Sequence, residues 1–392
     1  MYAGGFLGPF GGIMVTPMLP EAAAGLGTSV DAVARSMTAY LVPFAGLMVV
    51  SGTLADHVGR RRSVRAAYLM YALASLGCMV APGIVPFLVG RSLQGAANAF
   101  TTPLLVAALS EAVPADRLGG ALGRFSSLQG AGVSFAPLIV GALAAVEWRA
   151  AFAVSALAGV LLAFVPPPDA VPLRASPGDG GAAPSRWRLL LNRRLAFTCA
   201  IALLSYLTTA GLMLLSTLRA GDEFGLGPDA RGLVLATFGL CGMASGWLLG
   251  RNLDRLGWRR FALAALVGLA VAVGLAGVAP TAVALAAAVG AAGVAGTATR
   301  VTVNSLATVS TPGNRGGASS IALAWQFLGG ALAPLLLLPV YRAAPDAALP
   351  VAACGALAAA ALVALSRRRD PAPGLGTGAG SSPRSSTARR VP

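Results

Sequence analysis

Apolar runs separated by short polar, glycine- or proline-containing breaks recur along the chain, at about residues 1–20, 36–55, 66–83, 84–110, 125–145, 150–166, 195–217, 232–250, 261–279, 281–309, 318–341 and 347–366. An α-helix needs roughly 20 mostly apolar residues to cross the hydrocarbon core of a bilayer. The pattern predicts an all-α integral membrane protein with 12 transmembrane helices in two groups of six. A stretch rich in Pro, Gly and Arg between the groups is too polar to span a membrane, and the chain beyond Arg367 turns to Gly, Ser, Pro and Arg. The predicted domains are an N-terminal six-helix bundle over 1–166, a basic linker over 167–194, a C-terminal bundle over 195–366 and a disordered basic tail over 367–392.

Composition narrows the chemistry. Hydrophobic residues make up 56% of the chain and charged residues 11%, with a mean hydropathy of +0.75, which leaves no room for a large domain outside the membrane. The net charge of +15 comes from 29 arginines and no lysine, so a P-loop or a Schiff-base lysine is excluded. His57 is the single histidine and lies in an arginine-rich loop, so multi-histidine metal sites are excluded too. Cys78, Cys199, Cys241 and Cys354 are scattered through apolar runs and read as small core residues. With no histidine and no acid pair in the spans, the chain is expected to be no enzyme, with no catalytic residue, no metal and no cofactor.

Arginine placement sets the expected orientation. With the N-terminus inside, 22 arginines fall in inner loops, linker and tail, against five (Arg35, Arg149, Arg219, Arg231 and Arg342) on the outer side. The positive-inside rule then puts both termini in the cytoplasm of a multi-pass protein of the inner (plasma) membrane. The basic excess is read as contact with the lipid bilayer, and no nucleic acid partner is expected. No charged segment precedes the first apolar run and no small-residue cleavage site follows it, which argues against a removable signal peptide.

The two groups repeat each other. Gly52, Asp56, Gly59 and Arg61-Arg62 map at an offset of 198 onto Gly250, Asp254, Gly257 and Arg259-Arg260, and Pro114 and Arg117 map onto Pro312 and Arg315. Gln129, Gly132 and Ala136-Pro137 map at 197 onto Gln326, Gly329 and Ala333-Pro334. Six spans per copy give both copies the same orientation, as parallel repeats about an axis normal to the membrane. Gly52 at a helix end is expected to allow close backbone approach, Gly59 a left-handed turn, and the arginines, Arg60 included, contact with headgroups.

The loop Gly52-Thr-Leu-Ala-Asp56-His57-Val-Gly59-Arg60-Arg61-Arg62 resembles the signature loop of the major facilitator superfamily, with His57 standing where the family pattern has Arg or Lys. The 6+6 repeat and basic central linker resemble that family throughout, except for the tail. This resemblance implies a transporter of small molecules that acts as a monomer by alternating access. It also implies that Asp56, and Asp254 in the second copy, contact the opposite half and hold a gate; a topology signal is the alternative for both residues.

Polar groups inside the spans give site candidates. Arg91, Gln94 and Asn98 at i, i+3 and i+7 share one helical face, as do Thr297, Arg300 and Asn304. A charge near mid-membrane marks a cavity or polar contact, with a snorkelling surface position as the alternative for Arg91. Arg91-Ser-Leu-Gln94-Gly95 resembles a fourth-helix motif of drug:proton antiporters, where the arginine is taken to influence proton movement. Arg300 lies about 18 Å along a helix from Pro312. The resemblance puts the first, fourth, seventh and tenth helices along the path, which makes Gln94, Asn98, Arg300, Asn304, Tyr206 and Thr209 the substrate-path candidates. Gly132, Pro137 and Gly141 resemble an antiporter motif in the fifth span and are expected to permit bending and close packing.

No Asp or Glu lies deep in any span. If protons couple, they couple through Arg91, Asp56, Glu111 or a carboxylate on the substrate. The expected function is proton-coupled efflux of a drug-like compound or small metabolite. The alternatives are a permease or exchanger for a small organic anion and, in another class, a non-transporting membrane sensor or assembly factor.

Overall fold

A computed structural model describes residues 1–167, 192–311 and 315–366. Its helices are α1 (Tyr2–Ile13), α2 (Leu19–Gly25), α3 (Val30–Val58), α4 (Arg60–Met79), α5 (Ile84–Asn98), α6 (Thr102–Ala112), α7 (Ala115–Ala144), α8 (Ala150–Phe164), α9 (Arg193–Asp222), α10 (Pro228–Leu256), α11 (Trp258–Gly277), α12 (Ala282–Ser310), α13 (Arg315–Ala343) and α14 (Pro345–Leu365). Seven helices among the described residues are long and apolar enough to cross a membrane by length and composition alone. The chain forms twelve spans as two six-helix bundles, because α1 with α2, and α5 with α6, are each one span in two pieces.

Those two breaks correct the expectation of continuous helices over 1–20 and 84–110. Pro17 lies within a short 3-10 turn at Thr16–Met18, Pro20 opens α2, and Pro103 opens α6. Proline has no N–H to give to the carbonyl four residues back, so the helix interrupts there. The counterparts α9 and α12 run unbroken for 30 and 29 residues. Several helices also outrun their apolar windows, α3 extending to 30–58, because backbone hydrogen bonding continues through charged ends.

The repeat is visible in packing. A Cβ on Gly95 would stand 2.0 Å from the Tyr40 carbonyl oxygen, and one on Gly293, 198 residues on, 2.0 Å from that of Phe238. Gly132 against Phe6 O and Gly329 against Leu203 O form a second equivalent pair, at 2.5 and 2.1 Å. Only glycine permits backbones this close. Gly59 and Gly257 both adopt positive φ, 93° and 73°, as the left-handed turn requires. Gly52 differs from expectation: nothing among the described residues lies within 4 Å of its missing Cβ.

Peripheral faces follow the same rule. Leu69 and Leu73 on α4 with Val80 just past its end, and their equivalents Val267 and Val271 on α11 with Val278 just past its end, are all exposed, a stripe suited to lipid chains. Cys78 and Cys199 are buried as expected, whereas Cys241 and Cys354 are exposed. Arginine caps the last carbonyls of equivalent helices from non-equivalent places. Arg149 donates to Met79 O at the end of α4 and to Ala81 O just past it, and Arg219 to Ala276 O in the last turn of α11 and to Ala279 O just past it.

The halves meet along α3 with α13 and α7 with α10. Away from the arginine-rich loops one apolar core runs through both halves, from Met14, Met18 and Val140 to Val234, Leu235 and Leu337. Toward the arginine-rich end it divides. One cluster there belongs mainly to the first half, around Phe44, Tyr68 and Phe125, and a separate one to the second half, around Ile201, Leu266 and Val303.

Candidate functional site

The first half carries a buried polar network between α5 and the broken first span. Arg91 is fully buried and donates from Nη1 to Gln94 Oε1 (2.7 Å) and from Nη2 to Gly11 O (3.0 Å). Its guanidinium carbon lies 4.4 Å from the centroid of the Tyr40 ring, in cation–π contact. Gln94 Nε2 donates to Ser75 Oγ, and Asn98 Nδ2 to Tyr40 OH (2.7 Å) and Gly8 O. Thr101 Oγ1 donates to Asn98 Oδ1 at 2.6 Å. Gln94 and Asn98 are thus buried, with their amides engaged inside the first half.

The second half presents the opposite situation. Arg300, Asn304 and Thr308 on α12 are exposed, one helical turn apart on a single face. Neither Arg300 nor Asn304 has a hydrogen-bond or ion-pair partner among the described residues. Tyr206 on α9 lies within electrostatic reach of Arg300 and of Tyr40 across the seam. Thr209 Oγ1 sits 3.9 Å from where a Cβ on Gly296 would be, close to one turn from Arg300, and donates to Ser205 O.

Aromatic rings join the two regions. Tyr40 lies beside Phe44 (6.0 Å), Phe44 against Phe327 of the other half (4.6 Å, 59° between planes), and Phe327 edge-on to Tyr206 (5.7 Å, 83°). A chain of ring contacts therefore runs from Arg91 to the neighbourhood of Arg300. Tyr40, Phe44 and Phe327 carry no motif, and the positions they join lie far apart in the chain.

The remaining candidates sit at the seam or at the helix ends. Gly132 packs on Phe6, and the Pro137 carbonyl would be 2.2 Å from a Cβ on Gly232. Gly232 was not singled out by any motif, yet with Gly141 it sets how closely α7 and α10 approach. At the arginine-rich end Arg60 Nη1 donates to Glu111 Oε2 at 2.5 Å, joining α4 to α6. The side chains of Asp56 and Asp254 lie outside the described residues. At the opposite end two ion pairs cross between halves, Glu21 with Arg231 and Asp31 with Arg342. Thr38 Oγ1 also donates to Ala331 O across the seam, at 2.6 Å.

Comparison with known proteins adds a decisive match. The family model described as Major Facilitator Superfamily fits residues 1–334 and again 198–390. The chain belongs to the major facilitator superfamily. Curated relatives within the superfamily include a probable actinorhodin transporter of Streptomyces coelicolor, 29% identical over 154 residues (38% of this chain, 27% of that protein). A multidrug resistance protein B homolog of Mycobacterium tuberculosis is 32% identical over 151 residues (37% and 28%). An uncharacterized MFS-type transporter of the same organism, EfpA, is 28% identical over 130 residues (33% and 24%). The matched stretch spans about a quarter of the length of these relatives. Among solved structures, a D-xylose-proton symporter superposes with a TM-score of 0.71 at 16% identity, covering 92% of this chain and 95% of that one, which establishes the fold. The superfamily and these neighbours are transporters rather than enzymes.

Proposed function

We propose that the protein is a secondary transporter of the plasma membrane that works by alternating access and exports a drug-like compound or small metabolite in exchange for protons. The observation that carries this reading is the open polar face of α12, with Arg300 nearer mid-span, at the level where the common core divides, and Asn304 one turn closer to the helix end. A polar face inside a membrane needs water or a solute to meet it. The names of two relatives, a probable actinorhodin transporter and a multidrug resistance protein B homolog, favour efflux over uptake.

In this reading the bundles 1–166 and 195–366 rock against each other about α3–α13 and α7–α10, with the linker 167–194, the tail 367–392 and both termini in the cytoplasm. Arg300, Asn304, Tyr206 and Thr209 line the path. Gln94 and Asn98 support it through the packing of the first span. Gly52, Gly59, Asp56 and Asp254 belong to the inner gate, and Gly132 and Pro137 to the moving contacts. Proton coupling falls to Asp56, to Glu111 with its partner Arg60, or to the solute, with Arg91 shaping the field. The transporter acts as a monomer.

The test is reconstitution of the purified protein into liposomes holding a pH-sensitive dye, challenged with a mixed panel of cationic, neutral and anionic solutes. The expected result is solute movement accompanied by a change in internal pH. Liposomes containing folded protein that move no solute class would overturn the transporter reading, and solute flux with no pH change would overturn the proton coupling.

A further inference from the structure

We infer that the solute is an aromatic anion, whose negative group docks on Arg300 and whose ring lies against Tyr206 and Phe327. This rests on the transporter reading and names its substrate class. Arg91 and Arg300 present the same problem, a permanently charged guanidinium inside the membrane with no carboxylate in mid-span to balance it. Arg91 solves it internally, with two acceptors and the face of Tyr40. Arg300 does not, being exposed and without a hydrogen-bond or ion-pair partner among the described residues. The acids on the helices packed around α12 stand at helix ends: Asp222 on α9, Asp229 and Asp254 on α10, and none on α11 or α13. The exposed guanidinium is open to water and to solute, and an anionic solute is the partner that would balance its charge.

The surroundings select the rest of that solute. Tyr206, within electrostatic reach of Arg300, forms an edge-to-face pair with Phe327, continued by Phe44 across the seam, and rings prefer to pack on rings in this manner. Gly330 makes room for the Tyr206 ring: a Cβ there would stand 2.9 Å from it. Asn304, one turn from Arg300, offers an amide for a second polar group. A cationic solute would meet uncompensated repulsion from Arg300.

Binding to the purified full-length protein in detergent tests this, using four probes: 2-naphthoate, its neutral amide 2-naphthamide, 2-naphthylmethylammonium, and the non-aromatic cyclohexanecarboxylate. Naphthoate is expected to bind about 10-fold or more tightly than the amide, since a charge-assisted bidentate contact replaces a neutral one. Arg300→Gln should erase that preference, and Arg300→Lys should restore it only in part, because lysine lacks the planar fork. Tyr206→Leu should weaken naphthoate while leaving cyclohexanecarboxylate unchanged. The ligand-free Arg300→Gln protein should also melt at a higher temperature than wild type, because an unpaired charge has left the membrane interior.

Amide or ammonium binding that matches naphthoate in the wild type, no naphthoate binding at millimolar concentration, or equal losses for all probes in Arg300→Gln would overturn the inference. The two readings fail separately. Neutral or cationic solutes moved by liposomes that do not bind naphthoate would leave the transporter and remove the anion, whereas Arg300-dependent naphthoate binding without flux of any solute would do the reverse.

Discussion

Arg91 keeps its charge in the bilayer because the first span, whose helix α1 ends at Ile13, offers it the Gly11 carbonyl, while Gln94 on its own helix offers its side-chain oxygen. Hydrogen bonds to a charged group contribute about 1.5–3 kcal/mol each, and a buried acceptor left unpaired costs about 1–3 kcal/mol. Arg91→Ala should therefore lower stability by about 3 kcal/mol, read as a fall in the midpoint of thermal unfolding in detergent. An unchanged midpoint would remove Arg91 from the first-span lock. The spacing of Arg91, Gln94 and Asn98 was legible in the chain, and so was that of Thr297, Arg300 and Asn304. Their different circumstances were not, because what separates them is Gly11, 80 residues from Arg91 and presented only where a helix is interrupted.

Helix pairs in this molecule are set by where backbones touch. Gly95 in α5 meets Tyr40 of α3, and Gly293 in α12 meets Phe238 of α10, at the offset the loop motifs already disclosed. This pair was legible in the chain, since a glycine in mid-helix at matching positions of a repeat signals close approach. Alanine at either site forces the helices apart, and overpacking of this kind costs about 1–3 kcal/mol. Gly95→Ala and Gly293→Ala should destabilise to similar extents, while Gly52→Ala, with open space around it, should be close to neutral in the same unfolding assay. A large loss at Gly52 alone would put the tight contact elsewhere. Span number was readable from apolar run length. The breaks in the first and fourth spans were not located, since prolines also stand inside α3, α7 and α13 without ending them.

Across the molecule, the division into six and six follows from the repeat, but the seam between halves depends on which faces meet, and one sequence serves every arrangement of them. The end opposite the arginine-rich loops is closed by shared core and by two ion pairs of unequal character. Arg231 is buried against Glu21, whereas the Arg342 side chain, facing Asp31, is 59% exposed. Exposed pairs contribute about 0–1 kcal/mol, and breaking a buried one costs more. Arg231→Gln should raise hydrogen exchange in α2 and at the start of α10, and Arg342→Gln should leave it near wild type. Equal changes in both would mean that neither pair holds that end. The undivided core has a further consequence, in the time domain. In the export cycle proposed above, turning to the other face pulls packed aliphatic side chains apart and returning rejoins them, which predicts a quick return of the empty carrier and a slow loaded outward turn. Solute supplied in advance on the receiving side should then fail to accelerate turnover. Marked acceleration by such preloading would place the slow step in the empty return and make this seam the weaker of the two.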